Sequence, residues 1–308
     1  MDIELTGRNT GLNLRKFRQQ PSTCLVSWCG CNFGPDLPVW VTYLCPLFRF
    51  ALLLMPQPPA AATYLSQQTL TVLVPVYDEE ESLPQFVVEM DKFLAQTPVP
   101  TTVLFVNDGS TDGSLALLRD ITRQNPAYHF ISLSENRGLS TAIKAGIDHC
   151  RTTLVGYIDS DIQTTPLDFL QFFGFLPEYD MVNGIRAKRQ DTVVKKLSSK
   201  IANTVRRTLI NDGIEDTGCP LKIMKIEYAR RLPLFHGMHR FLGALVQLQG
   251  GRVKQLPVRH FPRFAGTAKY NLWNRAWKPL VDTFGFRWIR SRWKNYEIGE
   301  GSQVKIEN

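Results

Sequence analysis

The sequence predicts an α/β protein with a mainly parallel central sheet and helices on both faces. Three observations carry that reading. Short continuous apolar runs recur between Leu70 and Ile158, amphipathic stretches of helical length separate them, and the runs close on clusters of Asp, Asn, Gly and Ser. Strands of a parallel sheet are buried on both faces and read as unbroken apolar runs, and parallel neighbours need a crossover, usually a helix. Composition agrees. A chain of 308 residues that is 44% apolar and 21% charged is neither disordered, collagen-like nor a disulfide-stapled miniprotein, and it suits one large domain or two modest ones.

The first 67 residues stand apart as an N-terminal extension, disordered or membrane-associated. The stretch from Leu37 to Met55 has about the length of a membrane span, but Pro38, Pro46 and the central Arg49 interrupt it. A charge at mid-bilayer costs ~2.5–3.5 kcal/mol on the mildest scale, which favours a segment that skims the membrane. The following MPQPPAAATYLSQQ reads as a linker, and Met55 can itself serve as a start. Cys24, Cys29, Cys31 and Cys45 match no paired zinc spacing, and the first twenty residues are too polar for a signal peptide. A reducing, cytoplasmic setting follows.

Residues 68–270 form the expected catalytic domain. The first strand, Leu70–Val76, closes on Val74-Pro75-Val76-Tyr77-Asp78-Glu79-Glu80-Glu81, with Ser82 placed to cap a helix over 82–95. Such an acid run can simply complement a helix N-terminus. The second strand, Val103–Val106, closes on Asn107-Asp108-Gly109-Ser110-Thr111-Asp112-Gly113, a turn and cap before a helix over 113–123. A third run, Phe130–Leu133, precedes a helix over 139–149. The fourth, Leu154–Ile158, leads into Asp159-Ser160-Asp161-Ile162-Gln163. Alternate residues of a strand share a face, so Asp159 and Asp161 are expected to project together as paired oxygen ligands for a divalent cation. Two solvated loop acids are the plainer alternative. Ligands of open α/β sheets bind beyond the carboxyl ends of the strands, where these acids gather.

The remaining chain is strongly basic. From Arg186 to Lys294 there are 24 Lys and Arg against six Asp and Glu, a net +18 that leaves −10 elsewhere. Such asymmetry points to an anionic partner: nucleic acid, acidic lipid or a phosphorylated substrate. Residues 271–308 read as an amphipathic helix and a polar tail. Trp273, Trp277, Leu280, Val281, Phe284 and Trp288 fall at helical spacing, flanked by positive charge, with a break expected around Pro279. A helix of this kind lies in the bilayer interface and favours anionic lipid, unless the stripe packs into the core.

The blocks VPVYDEEESLP, VNDGSTDGS, SENRGLSTAIKAGI and YIDSDIQTTP, in this order and spacing, resemble glycosyltransferase family 2, whose fold is the nucleotide-diphospho-sugar transferase (GT-A) fold. The resemblance covers about residues 69–295. Asn183-Gly184-Ile185-Arg186 and Gly266-Thr267-Ala268-Lys269-Tyr270 extend it toward the branch of dolichyl-phosphate mannose synthases and undecaprenyl-phosphate sugar transferases. It implies that Pro75, Tyr77, Glu79, Asp108 and Ser160 hold the nucleotide. Asp159 and Asp161 would bind Mg²⁺ or Mn²⁺ against the diphosphate, with Gln163 beside the sugar or phosphate. Two residues depart from the pattern, Asn107 for a common Asp and Asp78 for a common Asn, and leave the nucleotide open. The implied reaction is an inverting displacement of a nucleoside diphosphate, helped by a metal and by guanidinium groups such as Arg186. Lys195, Arg240, Arg263 and Lys269 are expected to meet donor or acceptor phosphates, and His239 to make an ordinary polar contact. A lipid-phosphate acceptor needs no strong base, whereas a hydroxyl acceptor, on a glycan or another cell-envelope molecule, does; Asp216 stands where such a base or an acceptor-positioning acid would lie, with a plain turn acid as the equal alternative. Many relatives of this branch continue into transmembrane helices. Here peripheral attachment at the cytoplasmic membrane face is expected instead.

Two rival classes fare worse. Nucleic-acid binding has the basic segment in its favour but no recognised binding signature, and an acidic strand edge repels phosphates. A non-catalytic nucleotide-sugar-binding or anionic-partner-binding protein would not need the intact Asp159/Asp161 pair. Neither a dinucleotide-binding G-x-G-x-x-G nor a P-loop occurs.

Overall fold

The computed structural model describes residues 59–186, 209–262 and 272–295. The early cysteines, the apolar stretch before Met55, Lys195, Arg263 and Lys269 lie outside them, as do the side chains of Trp273 and Trp277.

After a short helix α1 (Pro59–Ser66), the chain alternates strand and helix as the sequence predicts: β1 (Leu70–Val76), α2 (Leu83–Leu94), β2 (Thr101–Asn107), α3 (Ser114–Gln124), β3 (Tyr128–Ser132), α4 (Leu139–His149) and β4 (Leu154–Tyr157). Then come β5 (Met181–Arg186), β6 (Lys222–Lys225), α5 (Ile226–Arg230), α6 (Leu242–Leu248), β7 (Val253–Val258) and the long α7 (Leu272–Arg292). The seven strands form one sheet in the order β3-β2-β1-β4-β6-β5-β7, and only β6 runs antiparallel to its neighbours.

β1 shows why this sheet reads as apolar runs. All seven of its residues are buried. Leu70, Val72, Val74 and Val76 face Phe86, Met90 and Phe93 of α2, while Leu73 joins Ala142, Ile143 and Ile147 of α4 in a second core on the other side. Burial on both faces erases the alternation a one-sided strand would show. Phe105 links β2 to both neighbours of the first core, edge-on to Phe86 and stacked on Tyr128 at 5.7 Å.

At two places local structure departs from expectation. Ser82 sits at the helix N-cap position, but its hydroxyl donates to the Glu79 carboxylate at 2.7 Å instead of accepting from a helix amide. Its backbone is already helical, at φ −91° and ψ −29°, whereas side-chain caps use extended geometry. The expected break at Pro279 is absent, and α7 runs through it. A proline inside a helix removes one hydrogen bond and crowds the preceding turn, at about 3 kcal/mol, a cost that packing further along the helix offsets. The anchors here are Asp282, paired with Arg240 at 2.5 Å, and Phe286, stacked on Phe241.

Candidate active site

β1, β2 and β4 are adjacent and parallel, so their polar carboxyl ends meet at one edge of the sheet. The acid run after β1 stitches that strand to the loop after β2. Asp78, at φ +50°, accepts from the Thr111 amide at 2.8 Å, the Glu79 amide donates to Ser114 Oγ at 2.9 Å, and Glu80 accepts from the Gly113 amide at 2.6 Å. Gly113 opens α3, so this carboxylate also complements a helix N-terminus.

Asp108 is buried. Its two oxygens accept from the Arg137 and Gly138 amides at 2.8 Å each, fixing the loop that leads into α4. Gly109 makes room for that loop: at φ +67°, a Cβ there would stand 2.5 Å from the Asn136 nitrogen. Asn107 is spent on Ser132 Oγ, at 2.9 Å, and on the Ser110 amide. Ser160 reaches across to the Pro75 carbonyl at 3.4 Å. Pro75, Tyr77, Glu79, Asp108 and Ser160 thus share one edge, with Glu79 and Asp108 also holding the scaffold together.

β4 stops at Tyr157, so Asp159 and Asp161 lie in the turn beyond it and not on an extended strand. Strand alternation therefore does not relate them. The turn is strained, since Ile162 takes φ +58°, unusual for a β-branched side chain and a feature that gathers at functional sites. Tyr157 donates its hydroxyl to Asp159 Oδ1 at 2.6 Å. Burial, and then the charge of Asp161, push the Asp159 carboxyl up to about 6. Beyond the turn, the Gln163 carbonyl accepts from the Phe261 amide at 2.9 Å and lies 3.1 Å from His260 Nδ1, which ties this loop to the segment after β7.

Across β6 the ends of β5 and the loop before β6 add a cationic side. Arg186 grips Asp216 with two parallel hydrogen bonds of 2.8 Å, and its amide donates to the same carboxylate at 3.2 Å. A Cβ at Gly218 would sit 2.9 Å from Arg186 Nη2, so that glycine lets the guanidinium lie flat against the turn. Burial alone would raise the Asp216 carboxyl, but the hydrogen bonds and charge of Arg186 outweigh it and bring it to about 2. Such a carboxylate is a poor proton acceptor. The geometry makes it the counter-ion of Arg186 and does not suit the general base expected from the sequence.

Other expected residues fall differently. Arg240 is taken by Asp282 of α7 and braces that helix. His239 makes the polar contact expected of it: Nδ1 lies 2.9 Å from Ser140 Oγ, and burial lowers the imidazole to about 3, so the ring is neutral. Two participants escape the sequence reading. Tyr157 looks like an ordinary strand residue, and Lys222 is buried at 2% exposure with its ammonium on the Cys219 carbonyl. The signal for Lys222 is its place as a lone cation in the apolar run Leu221–Met224.

The two carboxylates fit a divalent cation of a particular kind. Among the described residues no group of three or more His, Cys, Asp or Glu surrounds a point, so an all-protein cage is not built. Mg²⁺ and Mn²⁺ suit fewer protein ligands, one or two carboxylates completed by substrate phosphates and water. The raised Asp159 pKa comes first from burial and then from the charge of Asp161 beside it.

A mainly parallel sheet with one reversed strand and an acidic turn at its carboxyl edge defines the nucleotide-diphospho-sugar transferase, or GT-A, class of fold. Solved structures agree. Glucosyl-3-phosphoglycerate synthase from Mycobacterium tuberculosis, in complex with Mn²⁺, UDP-glucose and phosphoglyceric acid, superposes with a TM-score of 0.58 at 16% identity, covering 76% of this chain and 85% of the other. The mannosyltransferase PcManGT from Pyrobaculum calidifontis, in complex with GDP-mannose and Mn²⁺, gives 0.54 at 19% identity over 78% and 69%. Residues 71–232 match the model of glycosyl transferase family 2, and the chain belongs to that family. A dodecaprenyl-phosphate galacturonate synthase from Rhizobium johnstonii is 30% identical over 219 residues, 69% of this chain and 64% of that protein. An undecaprenyl-phosphate 4-deoxy-4-formamido-L-arabinose transferase from Pectobacterium carotovorum is 30% identical over 66% and 63%. The chain therefore spans somewhat less than two thirds of these relatives.

Proposed function

We propose that this protein transfers a sugar from a nucleotide-diphospho-sugar to an acceptor that carries a phosphate. The observation that carries the reading is the Asp159/Asp161 turn, set among the acidic ends of β1 and β2 on one side and the Arg186–Asp216 pair on the other. In this reading the β1 and β2 ends hold the nucleoside, and Asp159 and Asp161 hold Mg²⁺ or Mn²⁺. The cation, when bound, supplies Lewis-acid stabilisation of the leaving diphosphate. Tyr157 orients Asp159 through its hydroxyl, and Gln163 lies beside the transferred group. Asp216 holds the guanidinium of Arg186 flat at the edge, where it faces charge that develops in the transition state.

Two finer readings differ in the attacking atom. The polyprenyl-phosphate relatives support a lipid phosphate, whose oxygen needs no base, and a spent Asp216 is consistent with that. The phosphoglyceric acid in the mycobacterial structure supports a hydroxyl acceptor whose phosphate is only a handle. For the lipid reading we place the protein peripherally at the cytoplasmic face of a membrane, attached through α7. No helix among the described residues is long and apolar enough to cross one.

The test follows nucleoside diphosphate release by the full chain from a panel of UDP- and GDP-sugars with Mn²⁺, alone, with a short polyprenyl phosphate, and with phosphorylated hydroxyl acceptors. Release from one donor, stimulated by one acceptor class and lost in Asp161→Ala with the fold retained, is expected. The stimulating class chooses between the two finer readings. No stimulated release from any donor would remove the assignment.

A further inference from the structure

We infer that Lys222 is a positioning residue, a buried cation that makes the donor site less negative so that it holds an anionic diphosphate once a divalent cation is in place. The inference rests on the proposed sugar-transfer function and adds a residue that no sequence motif assigns.

The placement comes from the sheet. β6 is the reversed strand between β4 and β5, and its first residue, Lys222, stands opposite Tyr157 on one side and Asn183 on the other. Tyr157 is the residue whose hydroxyl holds Asp159, so the lysine enters the sheet one strand from the acidic turn. Its side chain is 2% exposed. Among the described residues its hydrogen-bond acceptor is the Cys219 carbonyl, and it forms no direct ion pair. Asp216 is already spent on Arg186, and Asp159 on Tyr157. A buried cation that forms no ion pair with either Asp159 or Asp216 still acts on both through the protein interior. Burial lowers the lysine's pKa and the Arg186 charge adds to that fall, while Cys219 and the Asp216 and Asp159 carboxylates oppose it.

Charge counting gives the consequence. Removing the Lys222 charge makes the site one unit more negative, both before and after a divalent cation binds. The lysine therefore weakens metal binding in the empty site and strengthens diphosphate binding in the metal-loaded site. A residue that merely fills space moves both in one direction.

The experiment measures Mn²⁺ binding to the full chain by calorimetry, then UDP and GDP binding at saturating Mn²⁺, for the wild type and Lys222→Met. Met matches the four-atom stem of the side chain and omits its charged end. We expect Mn²⁺ to bind several-fold more tightly and the preferred nucleoside diphosphate about tenfold more weakly, the scale of one unit charge acting across a partly screened site. Lys222→Arg should return both values toward the wild type. Lys222→Gln retains a donor for the Cys219 carbonyl and repeats the test if the Met variant melts early. If wild type binds both ligands and the neutral variants lose both, or change neither, the role of Lys222 is overturned. If wild type binds neither Mn²⁺ nor a nucleoside diphosphate, the sugar-transfer reading fails first and this inference with it.

Discussion

At the scale of single residues, the Arg186–Asp216 pair is the sharpest electrostatic feature of the site. Both side chains are mostly buried, at 15% and 12% exposure, and the pair is bidentate. An aspartate near 3.9 when unfolded and about 2 when folded is stabilised in its charged form by the native structure. Its contribution is complete above the unfolded value and is lost as pH falls through 4 toward 2. A shift of that size corresponds to about 2–3 kcal/mol at neutral pH. Asp216→Asn is therefore expected to lower unfolding stability by that amount at pH 7, with the difference from wild type closing as pH falls below 4. Urea titrations at several pH values measure it, and a gap independent of pH would show that the loss is steric. Little of this pairing is legible in sequence. The partners lie thirty positions apart, and only the sheet brings the end of β5 to the loop before β6. Asp159 and Asp161 are legible because their spacing is local, although the turn that presents them is not the strand their alternation suggests.

At the scale of elements, α7 shows how far a periodicity reaches. The helical spacing of Val281, Phe284 and Trp288 is real, and all three are exposed, at 51%, 55% and 61%. The face that packs on the domain is a different one. Thr283 and Phe286 are buried there, and Phe286 stacks on Phe241 with ring centroids 4.8 Å apart. A stripe read from sequence gives the period of a helix but not which side meets the core, because both sides of α7 carry aromatic residues. Truncating the core side should be costly and truncating the exposed side should not. Phe286→Ala is expected to lose about 3–5 kcal/mol, as large aromatic deletions in cores do. Trp288→Ala should stay within about 0.5 kcal/mol. Comparable losses in the two variants, measured by chemical denaturation, would mean that Trp288 is also packed in solution.

At the scale of the whole molecule, the part of the fold legible in sequence is the part with local rules. β1 to β4 and their helices follow from apolar runs with polar ends. β5, β6 and β7 carry an Asn-Gly pair, an inserted lysine and a proline respectively, and their place is set by successive pairing outward from β4, first β6, then β5, then β7. The charge asymmetry gains a location from the structure. The exposed stripe of α7 runs beside Arg287, Arg292 and Lys294, all exposed, and Arg292 lies over the Trp288 ring at 5.0 Å. An apolar stripe with a cationic border matches a bilayer interface containing acidic lipid, where cations meet headgroups and aromatic rings enter the acyl boundary. If α7 attaches the enzyme to its lipid acceptor, the full chain should sediment with vesicles containing phosphatidylglycerol and less with phosphatidylcholine alone. Added salt should weaken the first, because screening shortens the reach of the arginines. Replacing Val281, Phe284 and Trp288 together with Ser removes apolar area worth well over 1.4 kcal/mol on insertion, so vesicle binding should fall by at least about tenfold. The melting temperature should hold, because none of the three is buried. Transfer to a short water-dispersed acceptor should also persist in that variant, since the stripe makes no part of the Asp159 edge. Undiminished vesicle binding would detach α7 from the membrane and leave the hydroxyl acceptor as the better reading of the same site.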